Sequence, residues 1–303
     1  MDKYKGETAL LIATFIWGAT FTIIKYSLQD ASPLVFISLR FLLAGLILSP
    51  FLFKEVKNIS RPVLFGGMLL GVLYFLGFAT QTIGLNYTSA TKSGFITGSF
   101  VLFTPIFQII IERKAPGLGS IIGTILVIAG LIFLSSSGTS LLSVFSEIGN
   151  NFNVGDFFTL LCAFFFSLYL IYLDIISKKY DYKPLVFLQV SVTGICGILS
   201  VVLLSFSGLE RAHFEFTGNL LFALAYTSIL ATVITATLQT KYQKFTTPTK
   251  AGIIFSLEPL ISAVIAFFVL REKISNFGFI GGALIFSGLL VSELVDKKVN
   301  GNG

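Results

Sequence analysis

Two ionisable side chains lie deep inside apolar stretches of the sequence, where a charge needs a partner or water. Arg40 falls about seven residues into one stretch, and Glu258 about nine residues into another. A charge at the centre of a bilayer costs at least about 2.5–3.5 kcal/mol. We therefore expect Glu258 to titrate or bind an amine, and Arg40 to bind a carboxylate or restrain Glu258. A fixed ion pair between the two is the alternative.

Uncharged polar side chains recur in several apolar stretches at spacings of three and four, which places them on one helix face. Such stripes either line a shared cavity or form helix–helix hydrogen bonds, each contributing about 0.6–2 kcal/mol. Trp17 is either a cavity wall that stacks on a cation or a core filler, and Tyr169 is open to the same two interpretations. Besides Arg40 and Glu258, the predicted cavity residues are Trp17, Tyr74, Gln81, Thr97, Gln108, Tyr169, Gln189, Thr235 and Gln239.

The residues that catalysis usually needs are scarce. The chain has one His and two Cys, with no HExxH pattern or metal-ligand spacing, and common enzyme sites need a nucleophile beside a base or a bound metal. A GxxxxGK[ST] loop, which would bind ATP phosphates, is also missing from the sequence. The sequence therefore predicts a protein that is not an enzyme and that uses no metal or cofactor.

The composition identifies the elements that must position these side chains. Of 303 residues, 54% are hydrophobic and 12% charged, whereas soluble domains carry roughly 25% charged residues. About 20 apolar residues span the hydrocarbon core of a bilayer as a helix. The chain has ten such stretches, near residues 8–26, 34–53, 63–85, 90–111, 118–136, 154–174, 184–206, 217–240, 249–270 and 276–295.

The positive charges follow the loops of a membrane protein, which argues against nucleic-acid binding. With ten crossings, fifteen of the 21 Lys and Arg residues fall on the side of the chain ends, five on the other side, and Arg40 within a helix. Cytoplasmic loops carry the excess of positive charge. We therefore expect a multi-pass protein of a bacterial-type inner membrane with both termini in the cytoplasm.

The second half of the sequence repeats the first. Residues 33–36 (PLVF) recur at 184–187, and 91–94 (TKSG) correspond to 249–252 (TKAG) at an offset of 158. This predicts one five-helix repeat at 1–137, an extracytoplasmic linker at 138–153, and a second repeat at 154–303. Because five is odd, the second repeat enters the membrane inverted, a plan that recurs in secondary transporters with a substrate site at the midplane.

Several segments resemble a known family. They are FIWGATFTIIK (15–25), YTSATKSGFITG (87–98), TTPTKAGIIFSLEPLISAVIAFFVLREK (246–273) and GGALIFSG (281–288). Together they resemble the ten-helix EamA-type members of the drug/metabolite transporter superfamily. The resemblance implies a cavity formed by helices one to four and six to nine, with helices five and ten outside it. It also implies transport of amino acids, related metabolites or drugs, often as export.

We therefore predict an all-α integral membrane protein of ten transmembrane helices in two inverted five-helix repeats. Its predicted function is secondary transport, as exporter or exchanger, of small metabolites such as amino acids or related amphipathic compounds by alternating access. Glu258 is the candidate for coupling to a proton, and Pro105 and Pro259 are either hinges or packing residues. Besides the small-molecule substrate, its partner is the lipid bilayer. The alternatives are a small-solute channel and, less favoured, an intramembrane enzyme.

Overall fold

The chain folds into ten apolar helices. The computed structural model describes residues 2–56, 59–134, 152–206, 212–269, 271 and 275–301. Six helices are continuous: α2 (Pro33–Val56), α3 (Arg61–Tyr87), α5 (Leu118–Leu134), α6 (Val154–Ser177), α7 (Tyr182–Phe206) and α10 (Asn276–Gly301). Four consist of segments: α1 (Asp2–Gly18, Thr20–Ser27), α4 (Ala90–Gly98, Phe100–Phe107, Gln108–Glu112), α8 (Gly218–Ala225, Tyr226–Ile234, Thr235–Tyr242, Gln243–Phe245) and α9 (Pro248–Phe255, Glu258–Val269).

The interruptions have local physical causes. In α9 the helix stops after Phe255 and restarts at Glu258, directly before Pro259. Proline lacks a backbone N–H and its ring clashes with the carbonyl four residues earlier, so it suits the first turn of a helix and breaks an interior. Gln108–Glu112 of α4 and Tyr226–Ile234 of α8 are π-helical, a form that often marks functional sites.

The outer surface of the helices is apolar, as a bilayer requires. Among the described residues, nine helices are long and apolar enough to cross a membrane, and α5 is a shorter apolar helix of 17 residues. Large side chains such as Phe65, Leu203 and Phe206 point outward, with exposed fractions of 67%, 67% and 89%. Each predicted stretch corresponds to one helix, so the protein is an all-α integral membrane protein of ten helices.

The contact between α5 and α10 displays the symmetry of the repeat. A Cβ on Gly123 would lie 2.7 Å from the Gly288 carbonyl oxygen, and a Cβ on Gly130 would lie 2.7 Å from that of Gly281. Adding the offset of 158 converts Gly123 to Gly281 and Gly130 to Gly288. Each contact therefore maps onto the other when the two halves are exchanged, and the small residues let the backbones approach closely.

A second pair of contacts follows the same rule. A Cβ on Gly84 of α3 would lie 2.7 Å from the carbonyl oxygen of Gly155 in α6. In the equivalent contact, a Cβ on Gly6 of α1 would lie 3.2 Å from the carbonyl oxygen of Tyr242 in α8, which is 158 residues after Gly84. The prediction of two inverted five-helix repeats is thereby confirmed.

The structure does not test the predicted boundary between the two repeats. Residues 138–151 of the predicted linker lie outside the described residues. The chain is described again from Phe152, and Asn153 begins α6 with a capping box in which its side chain and Asp156 satisfy each other's backbone N–H groups. The domain limits 1–137, 138–153 and 154–303 stay predictions.

Candidate functional site

A cavity lies among six helices of the two halves. Helices α1, α3 and α4 of the first half and α6, α8 and α9 of the second contribute its walls. Helices α2, α5, α7 and α10 contribute none of the lining residues. The lining consists of Trp17, Thr20, Tyr74, Phe78, Gln81, Thr97, Phe100, Phe166, Tyr169, Leu170, Gln239, Phe255 and Glu258.

Ten of these thirteen residues form pairs that the repeat relates. The offset is 149 between α1 and α6, as in Gly6 and Gly155, and 158 between α3 and α8 and between α4 and α9. A cavity whose walls pair in this way lies across the pseudo-twofold axis of the molecule. The pairs are Trp17 with Phe166, Thr20 with Tyr169, Gln81 with Gln239, Thr97 with Phe255, and Phe100 with Glu258.

Three helix interruptions lie beside this cavity. The breaks are at Ala19 in α1, Ser99 in α4, and Ser256–Leu257 in α9. A Cβ on Gly98 would lie 2.8 Å from Cγ of Pro259, so the breaks of α4 and α9 pack against each other. Discontinuous helices near the midplane are where transporters of this plan bind substrate. The lining residues that flank the breaks are Trp17, Thr20, Thr97, Phe100, Phe255 and Glu258.

Glu258 supplies the only charge among the lining residues. It is the first residue of the second segment of α9, and 8% of it is exposed. Within the described part of the chain, no hydrogen bond or ion pair to another side chain engages its carboxylate. Across the same ranges, no group of three or more His, Cys, Asp or Glu side chains could hold a metal ion. The polar chemistry of the cavity therefore consists of one carboxylate with hydroxyl and amide groups.

Aromatic rings form most of the remaining wall. The Trp17 indole packs edge-on against Phe255, with ring centroids 5.3 Å apart, and donates from Nε1 to the Ala231 carbonyl at 3.1 Å. The Tyr74 ring stacks on Tyr169 at 4.7 Å, and the Tyr169 hydroxyl donates to Gln189 Oε1 at 3.0 Å. These contacts fix the rings, so the cavity presents a rigid, largely apolar surface around Glu258.

Arg40 lies outside the cavity wall. Its Nε donates to Thr232 Oγ1 and its guanidinium nitrogen Nη2 to the Ala231 carbonyl, both at 2.9 Å. The guanidinium also lies 4.4 Å from the ring centroid of Phe78, a residue of the cavity lining. No ion pair within 4 Å joins Arg40 to Glu258, two residues that the structure describes. Arg40 thus joins α2 to the π-helical part of α8.

Three further predicted cavity residues, Gln108, Gln189 and Thr235, lie between helices and not in the cavity wall. Gln108 Oε1 accepts hydrogen bonds from the backbone N–H and hydroxyl of Thr249, at 3.2 and 2.5 Å. Gln189 lies between Tyr169 and Thr240, to whose Oγ1 its Nε2 donates at 2.8 Å. Thr235 is buried in α8 and does not line the cavity. For Gln108 and Gln189, helix–helix hydrogen bonding describes what the structure shows.

The structure brings seven predicted residues together and adds six that the sequence analysis missed. The seven are Trp17, Tyr74, Gln81, Thr97, Tyr169, Gln239 and Glu258, and the six are Thr20, Phe78, Phe100, Phe166, Leu170 and Phe255. Among 33 Phe residues, no stripe marks those that face a cavity. The repeat offers a usable signal, because Phe166, Phe255, Phe100 and Thr20 are the counterparts of Trp17, Thr97, Glu258 and Tyr169.

The two prolines differ in position. Pro259 is the second residue of the helix segment that restarts at the α9 break. Pro105 lies inside the Phe100–Phe107 segment of α4, six residues after the break at Ser99 and three before the π-helical turn. The break in α4 is therefore not at its proline. A hinge at either residue stays a prediction.

Comparisons with known proteins agree with this architecture. The model of the EamA-like transporter family matches residues 4–136 and 153–294. The chain is 29% identical over 300 residues to an uncharacterized transporter of Archaeoglobus fulgidus, covering 97% of this chain and 87% of the relative. It is 25% identical over 303 residues to the uncharacterized inner membrane transporter YicL of Salmonella typhimurium, covering 97% of each.

A protein of known crystal structure shares the fold. Its TM-score is 0.74 at 16% sequence identity, over 97% of this chain and 98% of that one. The family matches extend over both halves, including every helix that lines the cavity. This multi-pass membrane protein therefore belongs to the EamA-like transporter family.

Proposed function

We propose that the protein is a secondary transporter of small amphipathic molecules that carry an amine, such as amino acids or related compounds. Substrate would bind in the central cavity and reach each side of the membrane in turn as one half moves against the other. The observation that carries this proposal is a single carboxylate, Glu258, in an aromatic-walled cavity that the two repeats share.

The walls of the cavity favour a small, partly apolar substrate. Seven of the thirteen lining residues are aromatic: Trp17, Tyr74, Phe78, Phe100, Phe166, Tyr169 and Phe255. Aromatic rings bind flat apolar groups and also attract cations through their faces. A compact molecule with an apolar body and an ammonium group satisfies both features.

The polar groups of the cavity favour a hydrogen-bonding substrate with a positive charge. Glu258 faces the cavity, whereas Arg40 is held by α8. The Tyr74 hydroxyl and Gln239 Oε1 are buried without a hydrogen-bond partner among the described residues, and such groups cost free energy unless something satisfies them. A substrate with donor and acceptor groups would supply those partners.

Glu258 is also our candidate for proton coupling. A carboxylate near the midplane of a transporter is costly when charged and unpaired, so proton uptake and amine binding would compete for it. Such competition couples export of the amine to proton entry, or supports exchange of one amine for another. We place the protein in a bacterial-type inner membrane with both chain ends in the cytoplasm, as the excess of positive charge on that side favours.

Transport in proteoliposomes tests the proposal. We expect saturable counterflow of radiolabelled phenylethylamine or phenylalanine, and little with phenylpropionate, which lacks the amine. Single-channel currents in a planar bilayer, without saturable counterflow, would contradict a carrier. Counterflow of phenylpropionate as fast as that of phenylethylamine would contradict recognition by a carboxylate.

The Glu258→Gln variant separates the two roles of the carboxylate. If Glu258 carries only the proton, exchange persists while net transport driven by a pH gradient is lost. If it binds the amine, both are lost. Transport and pH dependence like those of the unaltered protein would contradict both roles.

A further inference from the structure

Two ion pairs, one near each face of the membrane, occupy positions that the repeat relates. We propose that they are reciprocal latches: Lys92 with Asp156 closes one face of the cavity, and Lys250 with Glu7 closes the other. The inference rests on the alternating access proposed above. It assigns the closure of each face to named side chains.

The first latch joins α4 to α6. Lys92 Nζ lies 2.6 Å from Asp156 Oδ2, and the Asp156 side chain is fully buried while 35% of that of Lys92 is exposed. The Thr88 hydroxyl donates to the other carboxylate oxygen at 3.0 Å, and the Asn153 backbone N–H donates to Oδ2 at 2.9 Å. Asp156 is therefore held in place by Thr88 and Asn153 as well as by Lys92.

The second latch joins α9 to α1 at the face where the chain begins. Lys250 Nζ lies 3.4 Å from Glu7 Oε1 and also pairs with Glu293 of α10. The Lys250 side chain is 6% exposed, and those of Glu7 and Glu293 are 14% and 22% exposed. This latch is the better buried of the two and contains one cation between two acids.

The lysine and the first-helix acid of each latch occupy equivalent positions in sequence and local structure, whereas Glu293 belongs to the second latch only. Lys92 and Lys250 are 158 residues apart, and each is the third residue of a helix whose preceding Ser89 or Thr247 accepts a hydrogen bond from the lysine N–H. Glu7 and Asp156 are 149 residues apart, and each follows a glycine that packs closely on a helix carbonyl. The arrangement is therefore a property of the repeat and not of one loop.

Their position relative to the cavity makes them suited to closing it. Along α4 and α9, the lysines precede the lining residues Thr97 and Phe255 by five positions each, about 7.5 Å by helical rise. Each pair joins the fourth helix of one half to the first helix of the other. When the halves move apart at one face, the pair at that face must separate, while the pair at the other face can persist.

Reciprocal latches predict opposite effects of their removal. Lys92→Gln should favour opening at its own face, by about fivefold, the upper range for a partly exposed ion pair. Lys250→Gln should favour opening at the N-terminal face by about tenfold, since the Lys250 side chain is only 6% exposed and pairs with both Glu7 and Glu293. If the pairs only hold the fold together, both changes destabilise the protein without shifting access in opposite directions.

Labelling of one cysteine in the cavity measures this access without any substrate. Thr20→Cys serves as the reporter in a Cys162→Ala, Cys196→Ala background, with a membrane-impermeant maleimide added to vesicles of each orientation. We expect Lys92→Gln to raise the labelling rate from the Lys92 face and lower it from the N-terminal face. Lys250→Gln and Glu7→Gln should do the reverse. The matched control is Lys179→Gln, because the Lys179 side chain is exposed beyond the end of α6, and this change should leave both rates unchanged.

The outcomes separate the latches from the transport cycle. Restoration of the original rates by the exchange Lys92→Asp with Asp156→Lys would support the latch even if the single variants fold less well. Rates that change in the same direction for Lys92→Gln and Lys250→Gln, while the unaltered protein is labelled from one face at a time, would overturn the latches only. Fast labelling of the unaltered protein from both faces at once would contradict alternating access itself.

Discussion

The two halves of the molecule agree at its periphery and differ at its centre. The glycine contacts of α5 with α10 and the two lysine latches repeat from one half to the other. Within the cavity, Gln81 and Gln239 match, but Phe100 in the first half corresponds to Glu258 in the second. In alternating access, a contact that closes one face in one state needs an equivalent contact that closes the other face in the other state. Symmetric contacts meet this requirement. A bound substrate contacts both halves at the same time. A single charged group in one half is therefore enough to bind one charge on the substrate.

Helices α3 and α8 differ in the same way. The first is continuous from Arg61 to Tyr87, whereas the second is π-helical over Tyr226–Ile234. In that region the Ala231 carbonyl accepts hydrogen bonds from both Arg40 and Trp17. The offset of 151 between α2 and α7 makes Ser191 the counterpart of Arg40. Serine carries no charge that would need acceptors. Of these two helices, the π-helical one is thus the one that accepts the hydrogen bonds of the buried Arg40 guanidinium.

The largest expected effect is a difference in transport rate between substitutions at positions 258 and 100. Glu258→Gln should lower the transport rate about 100-fold, since the loss of a buried charge that pairs with substrate costs several kcal/mol. Phe100→Leu, at the equivalent position, removes only part of an apolar wall and should lower it about threefold. Initial rates of amine uptake per reconstituted protein measure both. Equal losses would show that the centre is functionally symmetric after all.

The α5–α10 contact should respond symmetrically. Gly123→Ala and Gly281→Ala each place a Cβ 2.5–2.7 Å from backbone atoms of the partner helix, and such overpacking costs about 2 kcal/mol. Thermal unfolding in detergent should show similar losses for the two variants. Gly218→Ala is the control, because nothing lies within 4 Å of its added Cβ. A loss confined to one of the two glycines would break the equivalence of the halves.

Arg40 and Ser191 should differ in their contribution to stability. Arg40→Met removes two hydrogen bonds to α8 and a contact with the Phe78 ring, for a loss of about 1.5 kcal/mol. Ser191→Ala should change the free energy of unfolding little. Both are measured by thermal unfolding, with transport assayed in parallel. If Arg40→Met folds normally but stops binding a substrate carboxylate, Arg40 has a direct role in the site that its contacts do not show.

The smallest expected effect concerns the matched pair Gln81 and Gln239. Gln81→Leu and Gln239→Leu should each raise the substrate concentration for half-maximal transport about threefold, the contribution of one neutral hydrogen bond. Uptake measured over a range of phenylethylamine concentrations tests this. A much larger effect at Gln239, whose Oε1 is buried and unpaired among the described residues, would extend the asymmetry of the centre to this pair.

The sequence was sufficient to predict the helices and their inversion. Membrane spans follow from length and apolarity alone, because the backbone must satisfy its own hydrogen bonds in lipid. Ten stretches and an offset repeat therefore predicted the architecture. The helix breaks were not predicted: the break of α4 lies at Ser99, where no sequence pattern pointed, and Pro105 was only a hinge or packing candidate.

The cavity was predictable only in part for a physical reason. In a membrane protein, a polar side chain that points inward can face either a cavity or another helix. Both arrangements produce the same spacing of polar residues along the helix. Gln239 faces the cavity, while Gln108 and Gln189 bond to neighbouring helices. Arg40 donates to acceptors in the π-helical part of α8, and no sequence pattern used above indicates those acceptors.

The fluorescence of Trp17 tests most directly whether the central cavity around Glu258 is the substrate site. Trp17 is the only tryptophan in the chain and lines the cavity, so its emission reports on this site alone. We predict saturable quenching by phenylethylamine, little by phenylpropionate, and affinity for the amine at least about 30-fold weaker in Glu258→Gln. Equal affinity for the amine in the unaltered protein and in Glu258→Gln would contradict the account.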